Sequence, residues 1–318
     1  MSSISSLFGV ILNFIYGIVR NYGVSIILFS ILLKLLLLPL SIKQQKTMKK
    51  TAKIQGKIKE IQEKYKNDQN KMNQEMMAVY KEENMSPFSG CLSSIIQIVL
   101  LFAMFGLVRN PLTYMLKIDN YTIMQTQQYI QQQENINISQ RYPQIGILKY
   151  VSNNKDKTIE IDKENGEEGE KTQLKLEDFY INMNFLGLDL SNIPQENWKE
   201  PTVYIIPILY VITSMISMKI TTKMTKTNKD RKDEIIEIET KENENEENIE
   251  NKKEETSDMT TEMNKSMSWF MPIMSISISI IAPLGLALYW LINNILMIAE
   301  RLILNKFIKS DEEEQNNA

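Results

Sequence analysis

Residues Tyr22 to Leu40 read YGVSIILFSILLKLLLLPL. A spanning helix needs roughly 20 predominantly apolar residues, so this run amounts to one bilayer crossing. It holds a single full charge, Lys34. A Lys near the centre of a spanning helix costs about 2.5–3.5 kcal/mol on insertion scales, so it calls for a reason. Two readings are open from the residues alone. The long stem of Lys34 can snorkel to the nearer, cytoplasmic-looking end, or the ammonium faces a wet cavity and meets a passing substrate.

Working outward, Ile4 to Val19 is mostly apolar, with Ser6, Gly9, Asn13, Gly17 and Arg20 three or four apart. That spacing puts small and polar groups on one stripe, the pattern of a helix in the membrane interface. A short extra span is the other reading. A basic leader region and an AxA-like cleavage site, the marks of a secretory signal, are lacking. On the other side of the first span, Lys43, Lys46, Lys49, Lys50 and Lys53 crowd the helix exit. Such an excess marks the cytoplasmic face. Ile54, Ile58, Ile61 and Tyr65 recur at helical spacing, Asn67–Asn70 reads as a turn, and Met72, Met76, Val79 and Tyr80 share a second stripe. The expectation is a basic amphipathic hairpin over 41–88.

Four more apolar runs follow. GCLSSIIQIVLLFAMFGLV gives a second span over 89–108, with Gln97 inside it, and PTVYIIPILYVITSMISMK gives a third over 201–219, with Thr213, Ser214 and Ser217 toward its inner end. A neutral amide such as Gln97 in a membrane helix usually bonds to a neighbouring helix. Residues 267–282 and 283–304 read as a hairpin of two spans, broken by Pro283 and Gly285. The last span carries Tyr289, Trp290, Asn293 and Asn294. Its two adjacent amides need partners, so that face should look onto other helices or water. Between spans two and three, 109–200 is polar and acidic and reads as an external loop or a small independent element. The charged stretch 220–266 reads as a cytoplasmic loop, and 305–318 as an acidic cytoplasmic tail. The expected fold class is therefore an all-α integral membrane protein, with 1–20 as an interfacial helix, spans over 21–40, 89–108, 201–219, 267–282 and 283–304, the N-terminus outside and the C-terminus inside.

Composition removes several function classes. The chain has no His and one Cys, Cys91, which excludes His-based catalysis, His- or multi-Cys metal sites and intrachain disulfides. The absence of a GxxxxGK[ST] loop leaves nothing to suggest nucleotide hydrolysis. No cofactor and no catalytic residue is expected.

Four pieces, in this order and with this topology, carry a resemblance: YGVSIIL…LKLLLLPL, the KQQKTMKK opening of the hairpin, SPFSGCL…IQ, and PLGLALYW followed by the two Asn. The chain resembles the YidC/Oxa/Alb family of membrane-protein insertases, in its five-span Gram-positive form, over roughly two thirds of its length. The resemblance implies five helices around a polar groove open to cytoplasm and lipid but closed outside. Lys34 falls where the family usually has Arg, keeping the charge but losing the planar fork. Gln97 matches a polar position of the second span, Ser217 stands where the third usually offers Gln, and Trp290 matches an aromatic of the last. With Asn293 these make the expected client-binding groove. Implied partners are newly made membrane-protein clients, membrane lipids, and the Sec translocon and ribosome, in the bacterial plasma membrane. The chain departs from the family pattern in lacking prolines after Cys91 and Gln97 and in the long insertion outside. A polytopic transporter or channel, using the same intramembrane polar residues, is the rival reading, and a scaffold that assembles other membrane proteins is a third.

Overall fold

The computed structural model describes residues 2–83, 89–163, 170–225 and 277–316. Its contacts divide the chain into two compact units, Met1–Leu36 with Ile96–Thr213 and Ser275–Met297, and Leu37–Ile95 with Ser214–Met274 and Ile298–Ala318. The chain is mostly helical. Among the described residues, three helices are long and apolar enough to cross a membrane, with candidate spans Tyr22–Thr47, Pro201–Ile220 and Leu284–Leu304. Two shorter apolar stretches, Ser3–Val19 and Ile98–Arg109, fall below that length.

In the first unit, helix α1 (Ser2–Val19) meets α2 (Tyr22–Lys64) through a turn in which Arg20 takes φ 53°. One face of α1 is buried through Ser5, Phe8, Leu12 and Tyr16. Ser5 Oγ–H donates to the Ala103 carbonyl (2.9 Å), the Phe8 and Phe29 rings meet edge-on at 5.4 Å, and the Tyr16 hydroxyl accepts from the Asn182 N–H (2.8 Å). The opposite face exposes Leu7, Val10, Phe14 and Ile18. The small-and-polar stripe expected to face water is thus divided: Gly9 is packed inward, Ser6 and Asn13 are half-buried, and the open face is apolar.

Gly9 is there for close approach. A Cβ at this position would land on the Tyr114 backbone, which cannot swing aside. Gly17 has open space around it. Gly9→Ala is expected to destabilise: the forced repacking costs about 1–3 kcal/mol, against a gain of about 1 kcal/mol in helix propensity. Gly17→Ala should show only that gain. Thermal midpoints of the two variants in detergent, moving in opposite directions, check this.

Helix α2 runs unbroken through Pro39. Proline removes the hydrogen bond to the carbonyl four residues earlier, yet membrane helices tolerate it where neighbouring groups re-satisfy that carbonyl. The span and the first arm of the hairpin, expected as separate pieces at 21–40 and 41–88, are one helix. After a turn at 65–67, α3 (Gln69–Glu82) begins with Asp68 as N-cap, its carboxylate accepting from the Lys71 N–H (3.0 Å). In this second unit Ile54 and Val79 are buried and Lys57 pairs with Glu83 at 3.3 Å.

Helix α4 (Ser89–Arg109) leads into a folded region, the one expected to be external. It contains α5 (Pro111–Tyr114), α6 (Asn120–Gln133), α7 (Pro143–Asn154), strands β1 (Thr158–Asp162) and β2 (Lys171–Lys175), and a 3₁₀ turn at Leu176–Phe179. A second hairpin, β3 (Asn184–Phe185) and β4 (Leu188–Asp189), and a 3₁₀ turn at Pro201–Tyr204 complete it. These short strands are small additions to a chain that is otherwise helical, as expected. β1 pairs antiparallel with β2 from Thr158↔Lys175 to Asp162↔Lys171, and Ile159 and Ile161 point inward while Thr158, Glu160 and Asp162 face solvent. Ile123, Ile130, Ile147, Leu148, Val151, Phe179 and Ile181 are buried in the same core. Asp119 caps α6 by accepting from the Thr122 N–H (2.8 Å), which holds its carboxyl below the ordinary carboxylate range. The region is a small folded element, not a solvated loop.

Helices α8 (Ile205–Thr225) and α9 (Leu284–Asn316) complete the chain, preceded by a helical stretch at 277–281. The first residues of the expected loop at 220–266 continue α8 to Thr225, and the rest of that loop and most of the fourth span at 267–282 lie outside the described residues.

Candidate functional site

The starts of the three candidate spans meet one segment, residues 182–200. The Tyr22 N–H donates to the Asn182 carbonyl (3.0 Å) and Asn21 Nδ2 to the Asn184 carbonyl (2.7 Å). The Leu284 and Gly285 N–H groups donate to the Asn192 and Leu190 carbonyls (2.9 and 3.0 Å), and the Gln195 N–H to the Ile280 carbonyl (3.0 Å). The segment then runs directly into Pro201 and α8. The three helices therefore set out side by side from a common collar.

Down α2 from the collar, the buried side chains are Tyr22, Ser25, Ile26, Phe29 and Ser30, while Leu28, Ile31, Leu32, Leu35 and Leu36 are exposed. Lys34 is half-buried. It falls four residues after Ser30, so it belongs to the inward half of the helix wheel. At 1.5 Å per residue it lies about 18 Å along α2 from Tyr22, well within a hydrocarbon core of about 30 Å. Both buried serines are satisfied locally: Ser25 donates to the Asn21 carbonyl and Ser30 to the Ile26 carbonyl, each at 2.7 Å.

On α9, Leu286 to Leu291 is buried throughout. Trp290 stacks at a tilt on Tyr210 of α8, ring centroids 5.9 Å apart. Its indole N–H is buried and has no acceptor among the described residues. Asn293 is half-buried one turn further on. Trp290, Asn294 and Arg301 recur at i, i+4 and i+11, one stripe of the helix. Ser217, on α8, belongs to the second unit and is buried there with Ser214. Gln97 lies on α4, but its side chain is outside the described residues. Of the five expected groove residues, Trp290 meets Tyr210, Lys34 and Asn293 are half-buried on their helices, and Ser217 is buried in the second unit.

Sequence reasoning passed over three residues. Tyr210, the aromatic partner of Trp290, carries no spacing signal. Arg301 is a charge near the end of the last apolar run, and only its i+7 relation to Asn294 could have tied it to the same stripe. Gln45 is buried 3 % exposed in the second unit and donates from Nε2 to the Arg301 carbonyl (3.4 Å), joining α2 to α9 there.

The apolar faces that the spans leave exposed need lipid. Only 28 % of the best window of Tyr22–Thr47 and 33 % of each of the other two is buried within the protein. Aliphatic side chains such as Leu35, Leu36, Ile208, Ile212, Leu302 and Ile303 lie open. Exposed aliphatic faces on helices of this length mark a membrane or protein contact.

Comparison with known proteins agrees. Residues 14–313 match the family described as 60Kd inner membrane protein. Among the relatives named membrane protein insertase YidC are the following three. The one from Treponema denticola is 25 % identical over 94 % of this chain and 37 % of its own length. That from Fusobacterium nucleatum is 44 % identical over 29 % of this chain and 45 % of its own. That from Caldanaerobacter subterraneus is 39 % identical over 35 % of this chain and 53 % of its own. The matches thus span between a third and about half of the length of these relatives. Matched over nearly its whole length, the chain belongs to the 60Kd inner membrane protein family, which is the YidC/Oxa/Alb family.

Proposed function

We propose that this protein is a membrane insertase: it receives client transmembrane segments from the cytoplasm and releases them sideways into lipid, using no chemistry and no fuel of its own. The observation that carries the reading is one half-buried cation, Lys34, in the otherwise apolar stretch 22–40 of α2. It is supported by the amide-bearing stripe of α9 and by relatives named as insertases.

A client helix of about 20 apolar residues gains free energy on entering lipid. Its polar flank is the obstacle, because each unsatisfied backbone group in hydrocarbon costs several kcal/mol. A hydrated groove reaching partway across shortens that barrier. In this proposal five spans enclose the groove, the α2–α3 hairpin makes first contact with the client on the cytoplasmic side, and Lys34 transiently holds an acidic or polar tail. Gln97, Ser217 and Asn293 keep the groove wet, and the outer faces of α8 and α9 guide the client outward into lipid. The ribosome and the Sec translocon are proposed sources of clients. The collar at 182–200 supports a groove closed on the outer side, and this disfavours a transporter, whose path must be polar to both faces.

The test is reconstitution of the full chain alone into liposomes, with a single-span client bearing an acidic N-terminal tail. Protein-dependent protection of the tail from added protease is the expected result. Absence of protection together with solute flux would give the transporter reading its place. Trp290→Phe refines the test. It keeps the ring on Tyr210 and deletes a buried donor that has no acceptor among the described residues, a group whose burial costs about 1–3 kcal/mol. The variant should therefore be at least as stable as wild type. If the indole N–H serves clients, photocrosslinking of a bound client next to position 290 should drop several-fold.

A further inference from the structure

We propose that the collar is a lipid-binding surface: Leu186 and Trp198 enter the outer leaflet at the boundary between headgroups and acyl chains and seat the external region on the bilayer. The two side chains stand out from a region that otherwise buries its apolar groups. Leu186 is 86 % exposed and Trp198 65 % exposed, although they lie between buried neighbours such as Met183, Leu190 and Ile193.

Their position in the fold says what covers them. The segment that carries both is hydrogen-bonded to the first residues of two candidate spans and continues into the third. Phe185, beside Leu186, packs its ring where a side chain on Gly23 would stand, one residue inside the start of α2. Trp198 precedes the span Pro201–Ile220 by three residues, its ring lies 5.5 Å from the Lys199 ammonium, and the Tyr204 hydroxyl donates to its carbonyl (3.4 Å). A Trp beside a Lys at the end of a span is the arrangement that favours the membrane–water interface, where the ring sits among headgroups and the ammonium among phosphates. The surface is continuous with the ends of helices whose exposed faces are already apolar, so both side chains lie at the level where those helices enter lipid.

The turn itself argues that the leucine is not there for the fold. Phe185 pairs with Leu188, leaving a two-residue loop with Leu186 at φ 52° and Gly187 at φ 81°. That geometry strongly prefers Asn, Asp or Gly at both positions. A leucine adopts it at a cost and buries nothing within the chain in return. In a bilayer interface its side chain is removed from water instead.

The experiment uses the full chain with Cys91→Ala, so that a single introduced thiol takes an environment-sensitive fluorophore. Labels go at Leu186→Cys, at Trp198→Cys and, as control, at Lys171→Cys on the exposed face of β2. The proteins are reconstituted in vesicles of phosphatidylethanolamine and phosphatidylglycerol containing a lipid spin-labelled high on its acyl chain. The expected result is a blue-shifted emission at 186 and 198, quenched by the spin label at least twofold more than at 171. A label at 186 no more quenched than the control overturns the proposal. Leu186→Asn guards against a folding artefact. Asn suits the turn, so this variant should match or exceed wild type in thermal midpoint in detergent, while in vesicles external protease cleaves the 182–200 segment several-fold faster. Unchanged cleavage of Leu186→Asn in vesicles counts against the proposal as well.

Discussion

Lys34→Ala is expected to slow insertion of a client with an acidic tail about tenfold, and Lys34→Arg to leave it within about twofold. A hydrogen bond to a charged partner contributes about 1.5–3 kcal/mol where it is shielded from water, and each 1.36 kcal/mol is a factor of ten in rate. A hydrated groove screens the pair, so the lower end of that range applies. The effect is differential, because the ammonium helps only while the carboxylate is within the membrane. A client with a neutral tail should therefore lose much less. Arg restores the charge and adds a planar fork, hence the expected rescue. The measurement is the rate of protease protection in liposomes, for both clients and all three proteins, at matched protein content. Equal losses for the acidic and neutral clients would mean that Lys34 supports the helix and not the client. No loss for either would return it to a snorkelling side chain, and the insertase proposal would then have to rest on the α9 stripe.

Three of the five expected spans, those over 21–40, 201–219 and 283–304, were legible because the bilayer imposes a long, simple pattern. Tyr22 to Leu40 could be read from composition alone, and Lys34 stood out because nothing else in that run is charged. The continuation of α2 to Lys64 was less so. Pro39 and the change from apolar to basic looked like a boundary, whereas the backbone hydrogen bonds of a helix are indifferent to that change of solvent. The external region was harder still. Its strands are five residues or two residues long, too short for a period to declare itself among Lys, Glu and Asn. Its core is assembled from side chains far apart in sequence, such as Ile123, Ile147 and Phe179. On α1, Gly9 was grouped with polar residues by spacing, while its use depends on Tyr114, more than a hundred residues away, and no local signal could report it. Trp290 was reached through family resemblance and its position between apolar neighbours, but the tilt onto Tyr210 and the orphaned indole N–H come from the third dimension only.

Phe179→Ala should have the largest effect on stability. The ring is 1 % exposed, sits at the end of the 3₁₀ turn that follows β2, and lies in the core shared with α7. Truncating a buried Phe to Ala costs about 3–5 kcal/mol. That is a large part of the stability of a small folded element. The spans should not follow it, since lipid continues to satisfy their apolar faces and their backbone bonds are internal. The expected outcome is therefore a selective one: the variant still fractionates with membranes and keeps its helical circular dichroism, but the external region becomes open to protease between Asn120 and Lys175. The collar is the informative boundary. Its bonds from Leu284 to Asn192 and from Gly285 to Leu190 lie beyond Phe179 in the chain and belong to the span starts. If these hold the collar by themselves, protease will stop short of Met183 and insertion of the acidic client will continue at close to the wild-type rate. If cleavage passes into 182–200 and insertion falls with it, the external core is what keeps the groove closed at its outer end, and the folded insertion becomes part of the machinery instead of an addition to it.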